Sequence, residues 1–167
     1  MQEKTKVASK QSFSDQTSKT LQNTALLKKI FEVTVGRCSG LKRNDASFNP
    51  RTMKPFFTFD FYRFEYRSAI AEGDSPTFDV TRRYEVEESQ ELRDYFKFQF
   101  LKIDFIDDAV EYDNAGDMTD YIGSIRIPLN TFLEKDKIES FFEVKNEKSQ
   151  TMGQVQIKIQ YADSYYI

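Results

Sequence analysis

From Leu26 onward the chain alternates apolar and polar positions with the period of a half-buried strand. Phe31, Val33 and Val35 alternate with Glu32 and Thr34. Phe57, Phe59 and Phe61 alternate with Thr58 and Asp60, after which Tyr62, Phe64 and Tyr66 carry the series on in the opposite phase. Such a phase change predicts a bulge, or a strand buried on both faces. Phe78, Val80, Tyr84 and Val86 form a further alternating set around Arg82 and Arg83. Phe98 and Phe100, then Leu101, Ile103 and Phe105, repeat the switch of phase. Ile125 and Ile127, Phe142 and Val144, and Val155, Ile157, Ile159 and Tyr161 complete the series. Turn signals separate these runs: Gly36, Gly40, Asn49-Pro50, Gly73-Asp74-Ser75-Pro76, Asn114-Ala115-Gly116-Asp117 and Asn146-Glu147-Lys148. Helix is expected over Glu87 to Tyr95 and Leu129 to Lys137 at most. The pattern therefore predicts an all-β fold, an eight-stranded antiparallel sandwich.

Residues 1–26 break the pattern. Lys4, Lys6, Lys10 and Lys19 stand against only Glu3 and Asp15, among Ser, Thr, Gln, Asn and Ala. Such a segment cannot bury enough apolar area to offset its ordering entropy, which predicts a disordered polar, basic tail. The expected division is tail 1–26, folded domain 27–163 and a C-terminal extension 164–167. Of the whole chain's net charge of −3, the tail contributes +2, which leaves −5 for the domain.

Composition narrows the chemistry. Aromatic residues reach 15%, with 16 Phe and 9 Tyr, enough ring area for a sandwich core. There is no histidine, so His-based triads, His proton shuttles and His-containing zinc sites are excluded. The single cysteine, Cys38, excludes an internal disulfide and a cysteine-cage metal site. Without a neighbouring base it reads as a small buried residue rather than a nucleophile. Glu87-Glu88 and Asp107-Asp108 are sequence neighbours whose side chains diverge, so they make no acid/base pair. Six glycines contain no phosphate-loop spacing. The acidic balance argues against a nucleic-acid partner, and no run approaches the length of a membrane span. The sequence thus indicates no catalytic residues and no cofactor.

Several stretches carry a resemblance. Leu27 to Leu41, Pro55 to Tyr66, Ser75-Pro76-Thr77-Phe78, Leu101 to Asp108, Asp120-Tyr121-Ile122-Gly123 and Gly153 to Tyr161 fall in the order seen in C2 domains. The chain resembles that family over residues 27–163. Pro55 to Tyr66, Gly73 to Val86 and Tyr95 to Asp108 are similar to the central C2 domain of the ciliary proteins that bind the retinitis-pigmentosa GTPase regulator, fantom among them. The string Phe61-Tyr62-Arg63-Phe64-Glu65 and its spacing to Ser75-Pro76 carry that similarity.

The resemblance raises the question of calcium, which C2 domains hold with about five aspartates on two loops. Carried over one by one, Asp45 stands for the first ligand, and Lys54 replaces the second, before Pro55-Phe56. Asp107 fits the third, Ala109 stands where another carboxylate belongs (with Asp108 beside it), and Asp120 fits the last. At most three of five ligands survive, which implies no functional metal site. The stretch 107–120 is otherwise acidic, with Glu111, Asp113 and Asp117 as well. It reads as a solvated acidic loop or a degenerate metal site, the former favoured. An EF-hand reading fails, since Met118 and Ser124 stand at its glycine and glutamate positions.

The resemblance implies a non-enzymatic, calcium-independent protein-interaction or scaffolding module of a cilium or basal body, in the cytoplasm. Its partners would be ciliary or microtubule-associated proteins. The alternative is a peripheral module binding phospholipid membranes. Arg82, Lys97 and Lys102 offer a basic surface for that, although Arg82 and Arg83 must point to opposite faces. Arg82 and Lys97, with the terminal Tyr165, Tyr166 and Ile167, are the candidate interaction residues. The terminal triplet either docks a partner or folds back on its own sandwich.

Overall fold

The computed structural model describes residues 27–43, 52–109 and 120–163. The tail expected over 1–26 and the extension 164–167 lie outside them.

Eight strands form: β1 (Lys28–Ser39), β2 (Pro55–Phe61), β3 (Phe64–Arg67), β4 (Thr77–Glu87), β5 (Phe100–Asp107), β6 (Tyr121–Pro128), β7 (Lys137–Lys145) and β8 (Thr151–Asp163). They pair antiparallel in the order β3-β2-β5-β6-β7-β8-β1-β4. The sheet folds over between β6 and β7, where Ser124 opposite Lys145 is the one paired position. Two four-stranded layers result, β3-β2-β5-β6 against β7-β8-β1-β4. Gly123 sits at that fold line because nothing larger fits: a Cβ there would come within 2.6 Å of the Lys145 carbonyl oxygen.

The alternating sets fill the space between the layers. Phe31, Val33 and Val35 of β1, Leu101, Ile103 and Phe105 of β5, and Val155, Ile157 and Ile159 of β8 are buried. At one end the core is aromatic. Phe61 stacks on Phe31 with ring centroids 3.8 Å apart, and Tyr84, Tyr95 and Phe96 surround the pair.

Two expected features differ. The phase change at Tyr62 is neither a bulge nor a doubly buried strand but a chain reversal. Phe61 pairs with Phe64 across the two-residue turn Tyr62-Arg63. Tyr62 takes a left-handed φ of 53° there, and its N–H donates to the Tyr95 hydroxyl at 2.8 Å. The switch at Phe98 has another cause, since a helix ends there. Helix α1 runs over Gln90–Phe98, three residues later than expected, because the Ser89 hydroxyl caps its start by accepting from the Leu92 N–H. The second expected helix is reduced to a 3-10 turn, Leu129–Leu133, before Lys137 opens β7.

Candidate functional site

The loop end of the sandwich gathers four chain segments around one carboxylate. Asp107 closes β5 opposite Pro55, the first residue of β2. Its backbone N–H donates to the Asp120 carbonyl at 2.7 Å, and the Asp108 N–H donates to the Lys54 carbonyl at 2.9 Å. The Asp107 side chain turns inward and is only 1% exposed. Oδ1 accepts from the backbone N–H of Lys54 at 2.9 Å and of Ala109 at 3.0 Å. Oδ2 accepts from Nε of Arg43 at 2.5 Å, in an ion pair whose arginine side chain is itself 9% exposed.

Arg43 reaches this position because the chain before it is anchored. Leu41 is buried, its N–H donates to the Asp74 carbonyl, and the Lys42 N–H donates to the Met152 carbonyl. The next side chain is thereby aimed at Asp107. The cation facing Asp107 is thus Arg43 and not Lys54, whose side chain is exposed and which contributes only backbone groups. No sequence argument had singled out Arg43. Its one local signal was a basic residue just beyond the end of β1, two positions before Asp45.

The remaining expected positions separate. Ala109 is buried beside Asp107 and donates its N–H to that carboxylate. Asp120 is half-buried and takes part through its carbonyl. Asp45, Glu111, Asp113 and Asp117 lie outside the described residues, as do Tyr165, Tyr166 and Ile167. Among the described residues, no three His, Cys, Asp or Glu side chains gather where they could hold a metal ion.

The residues of the expected basic surface stand on three elements, Arg82 on β4, Lys97 on α1 and Lys102 on β5. Arg82 shares the phase of Val80 and Tyr84, as alternation requires, and its guanidinium lies 4.8 Å from the Tyr66 ring centre. With Phe64 stacked on Tyr84 at 4.7 Å, this contact bridges the two edge strands β3 and β4. Lys97 belongs to the last turn of α1 and lies over Phe98. Lys102 projects from the outer face of β5 and pairs with Asp104 at 3.3 Å. That outer face holds a groove of about 1050 Å³, with Arg67, Lys102, Asp104, Arg126, Glu143 and Lys145 along its walls.

Cys38 is 2% exposed, and burial pushes its thiol up to about 12. Alkylation of the folded chain at about pH 8 is therefore expected to be at least about a hundredfold slower than in urea. Equal rates would show an accessible thiolate. Because the folded value lies above the ordinary 9.0, this stabilising contribution is complete below pH 9 and is lost as pH rises towards 12.

Among known families, the model describing the first C2 domain of RPGR-interacting protein 1 matches residues 22–164. The chain belongs to this C2 family. The resemblance drawn from the sequence pointed to the central C2 domain of such proteins, whereas the matching description is of the first. Solved structures share the fold. A CC2D1B structure superposes with a TM-score of 0.65 at 19% identity, over 83% of this chain and 57% of that one. The extended-synaptotagmin 2 structure holding its SMP domain and two C2 domains gives 0.60 at 13% identity, over 84% and 29%. A C2 domain of a plant extended synaptotagmin 1 gives 0.56 at 14% identity, over 82% and 96%. The chain thus spans little more than half of the first of these proteins and under a third of the second. No helix among the described residues is long and apolar enough to cross a membrane.

Proposed function

We propose that this C2 domain is a non-enzymatic protein-interaction or scaffolding module of a ciliary or basal-body structure, working without calcium. The observation that carries the calcium-free reading is the saturation of Asp107. Its two oxygens already accept three hydrogen bonds from their own chain, one of them from a guanidinium. Calcium sites need six to eight oxygens with several free carboxylates. Here an incoming cation would have to displace Arg43 and meet its charge. The family description names a protein that interacts with RPGR, which supports a protein partner and a ciliary address. The buried, protonated Cys38 and the absence of histidine support a module without catalysis.

Two measurements test this. Thermal unfolding is expected to move by only about a degree or two between chelator and 1 mM calcium. A millimolar site contributes about 0.4 kcal/mol at that concentration. A shift several times larger, abolished by Asp107→Asn, would overturn calcium independence. Proximity labelling in ciliated cells, with the full chain fused to a biotin ligase, is expected to enrich basal-body and axonemal proteins. Labelling of bulk membrane proteins, together with pelleting on anionic liposomes, would favour the phospholipid-binding alternative instead.

A further inference from the structure

Among the described residues the two layers leave four strand edges open, those of β3, β4, β6 and β7. An open edge presents unpaired N–H and C=O groups that template another strand, and proteins blunt it with shortness, bulges, proline or inward charge. Three of the edges are blunted in this way. Strand β3 has only four residues. Strand β4 shifts register against β1 between Val35 and Arg37, close to Asp79 with its left-handed φ of 48°, and it carries Arg82 in the phase of its buried residues. Strand β6 parts from β7 after Ser124 and ends soon afterwards at Pro128, which has no N–H to offer.

Strand β7 has none of these devices. Among the described residues its edge away from β8 is paired only at Lys145, and Val144 beside it is fully buried, which leaves Lys137 to Glu143 free. That stretch holds no proline or glycine and runs in unbroken register along β8. Ile138 and Phe142 pack against the core yet remain half-buried, and Ser140 between them is exposed. Phe141, on the outer face, is 47% exposed.

The free stretch is complementary to itself. Two copies pairing antiparallel over it have their two-fold axis at Ser140, its middle residue. On the core side Ile138 of each copy then lies opposite Phe142 of the other, with the two small Ser140 side chains between. On the outer face Lys137 of each copy lies opposite Glu143 of the other, and Glu139 opposite Phe141. An axis at Phe141 would set Glu139 against Glu143, and like charges directly opposite on a sheet repel. An axis at Phe142 would need Lys145, which β6 already holds. Within one copy Lys137 pairs with Glu139 at 2.8 Å and Lys145 with Glu143 at 2.6 Å, so the edge brings no net charge to the contact.

We propose that β7 is a dimerisation edge, at which a second copy of this chain adds its own β7 antiparallel about Ser140. The two inner layers join into one sheet, and the half-buried Ile138 and Phe142 are covered across the axis.

The contact is small, so a weak dimer is expected, with a Kd on the order of 10–100 µM. Sedimentation of the full chain should move from the mass of one copy towards twice that mass as concentration rises from about 5 to about 300 µM. Lys137→Glu and Glu143→Lys should each weaken association about tenfold or more. An equimolar mixture of the two should associate as the parent does, because each reversed charge then meets its opposite. Ser140→Cys should form an inter-chain disulfide in oxidised glutathione at least about tenfold faster than Thr81→Cys on β4, since only the axis brings two copies of one position together. The native Cys38 is buried and does not compete. A chain that stays monomeric at about 300 µM would overturn the proposal and return this edge to a strand of another protein. A dimer indifferent to both reversals, or a mixture no tighter than either variant alone, would overturn it as well. The disulfide comparison needs neither reversal and stands even if one fails to fold. Failure here leaves the protein-interaction reading in place, since that reading concerns partners other than a second copy.

Discussion

Arg43→Ala is expected to lower the unfolding free energy by about 3 kcal/mol, near the bottom of the range for removing one partner of a buried ion pair. The Asp107 carboxylate is 1% exposed. Without the guanidinium it would keep only the backbone N–H groups of Lys54 and Ala109. A buried charge left with part of its compensation is costly, whereas the pair itself adds little over an apolar replacement. Arg43→Leu combined with Asp107→Leu should therefore recover much of the loss. Arg43→Lys should fall between, because an ammonium cannot reproduce the directed Nε contact. Urea denaturation of the parent, Arg43→Leu, Asp107→Leu and the double variant measures the coupling. A value below about 0.5 kcal/mol would mean that the pair behaves as an exposed surface contact.

Phe61→Ala is expected to cost about 3–5 kcal/mol, a large share of the stability of an ordinary domain. Its ring is fully buried, stacked on Phe31 at 3.8 Å and edged by Tyr95 at 5.7 Å. The void would open where strands of both layers and α1 meet, and backbone pinned by the Tyr62–Tyr95 hydrogen bond cannot close it. The midpoint in urea should fall with little change in slope. Phe98→Ala, at a ring that stands in solvent, should shift stability by no more than about 0.5 kcal/mol. Equal effects at the two positions would show that the aromatic core is not organised around Phe61.

The strand content was legible because period-two alternation reports which face of a strand is buried. The sets at Phe31, Leu101 and Val155 became β1, β5 and β8 in the expected phase. The turn at Tyr62-Arg63 was not legible, since neither residue is a usual turn former. Tyr62 holds its left-handed backbone where the Tyr95 hydroxyl, thirty-three residues away, accepts its N–H. Helix α1 was placed too early because apolar spacing does not mark a start, whereas the Ser89 cap does.

The loop end divides in the same way. By itself the sequence determined that Asp107 and Asp120 flank an acidic stretch, and its resemblance to C2 domains implied that Lys54 and Ala109 stand at ligand positions. Residue type and order suffice for that. Only the tertiary structure decided which cation answers Asp107. Arg43 lies sixty-four residues away in sequence, and it arrives because Leu41 and Lys42 are tied to Asp74 and Met152. Burial then makes the meeting count, since a carboxylate shielded from water must find its positive charge inside the fold. That choice depends on where three distant segments converge, and no local pattern in the chain encodes it.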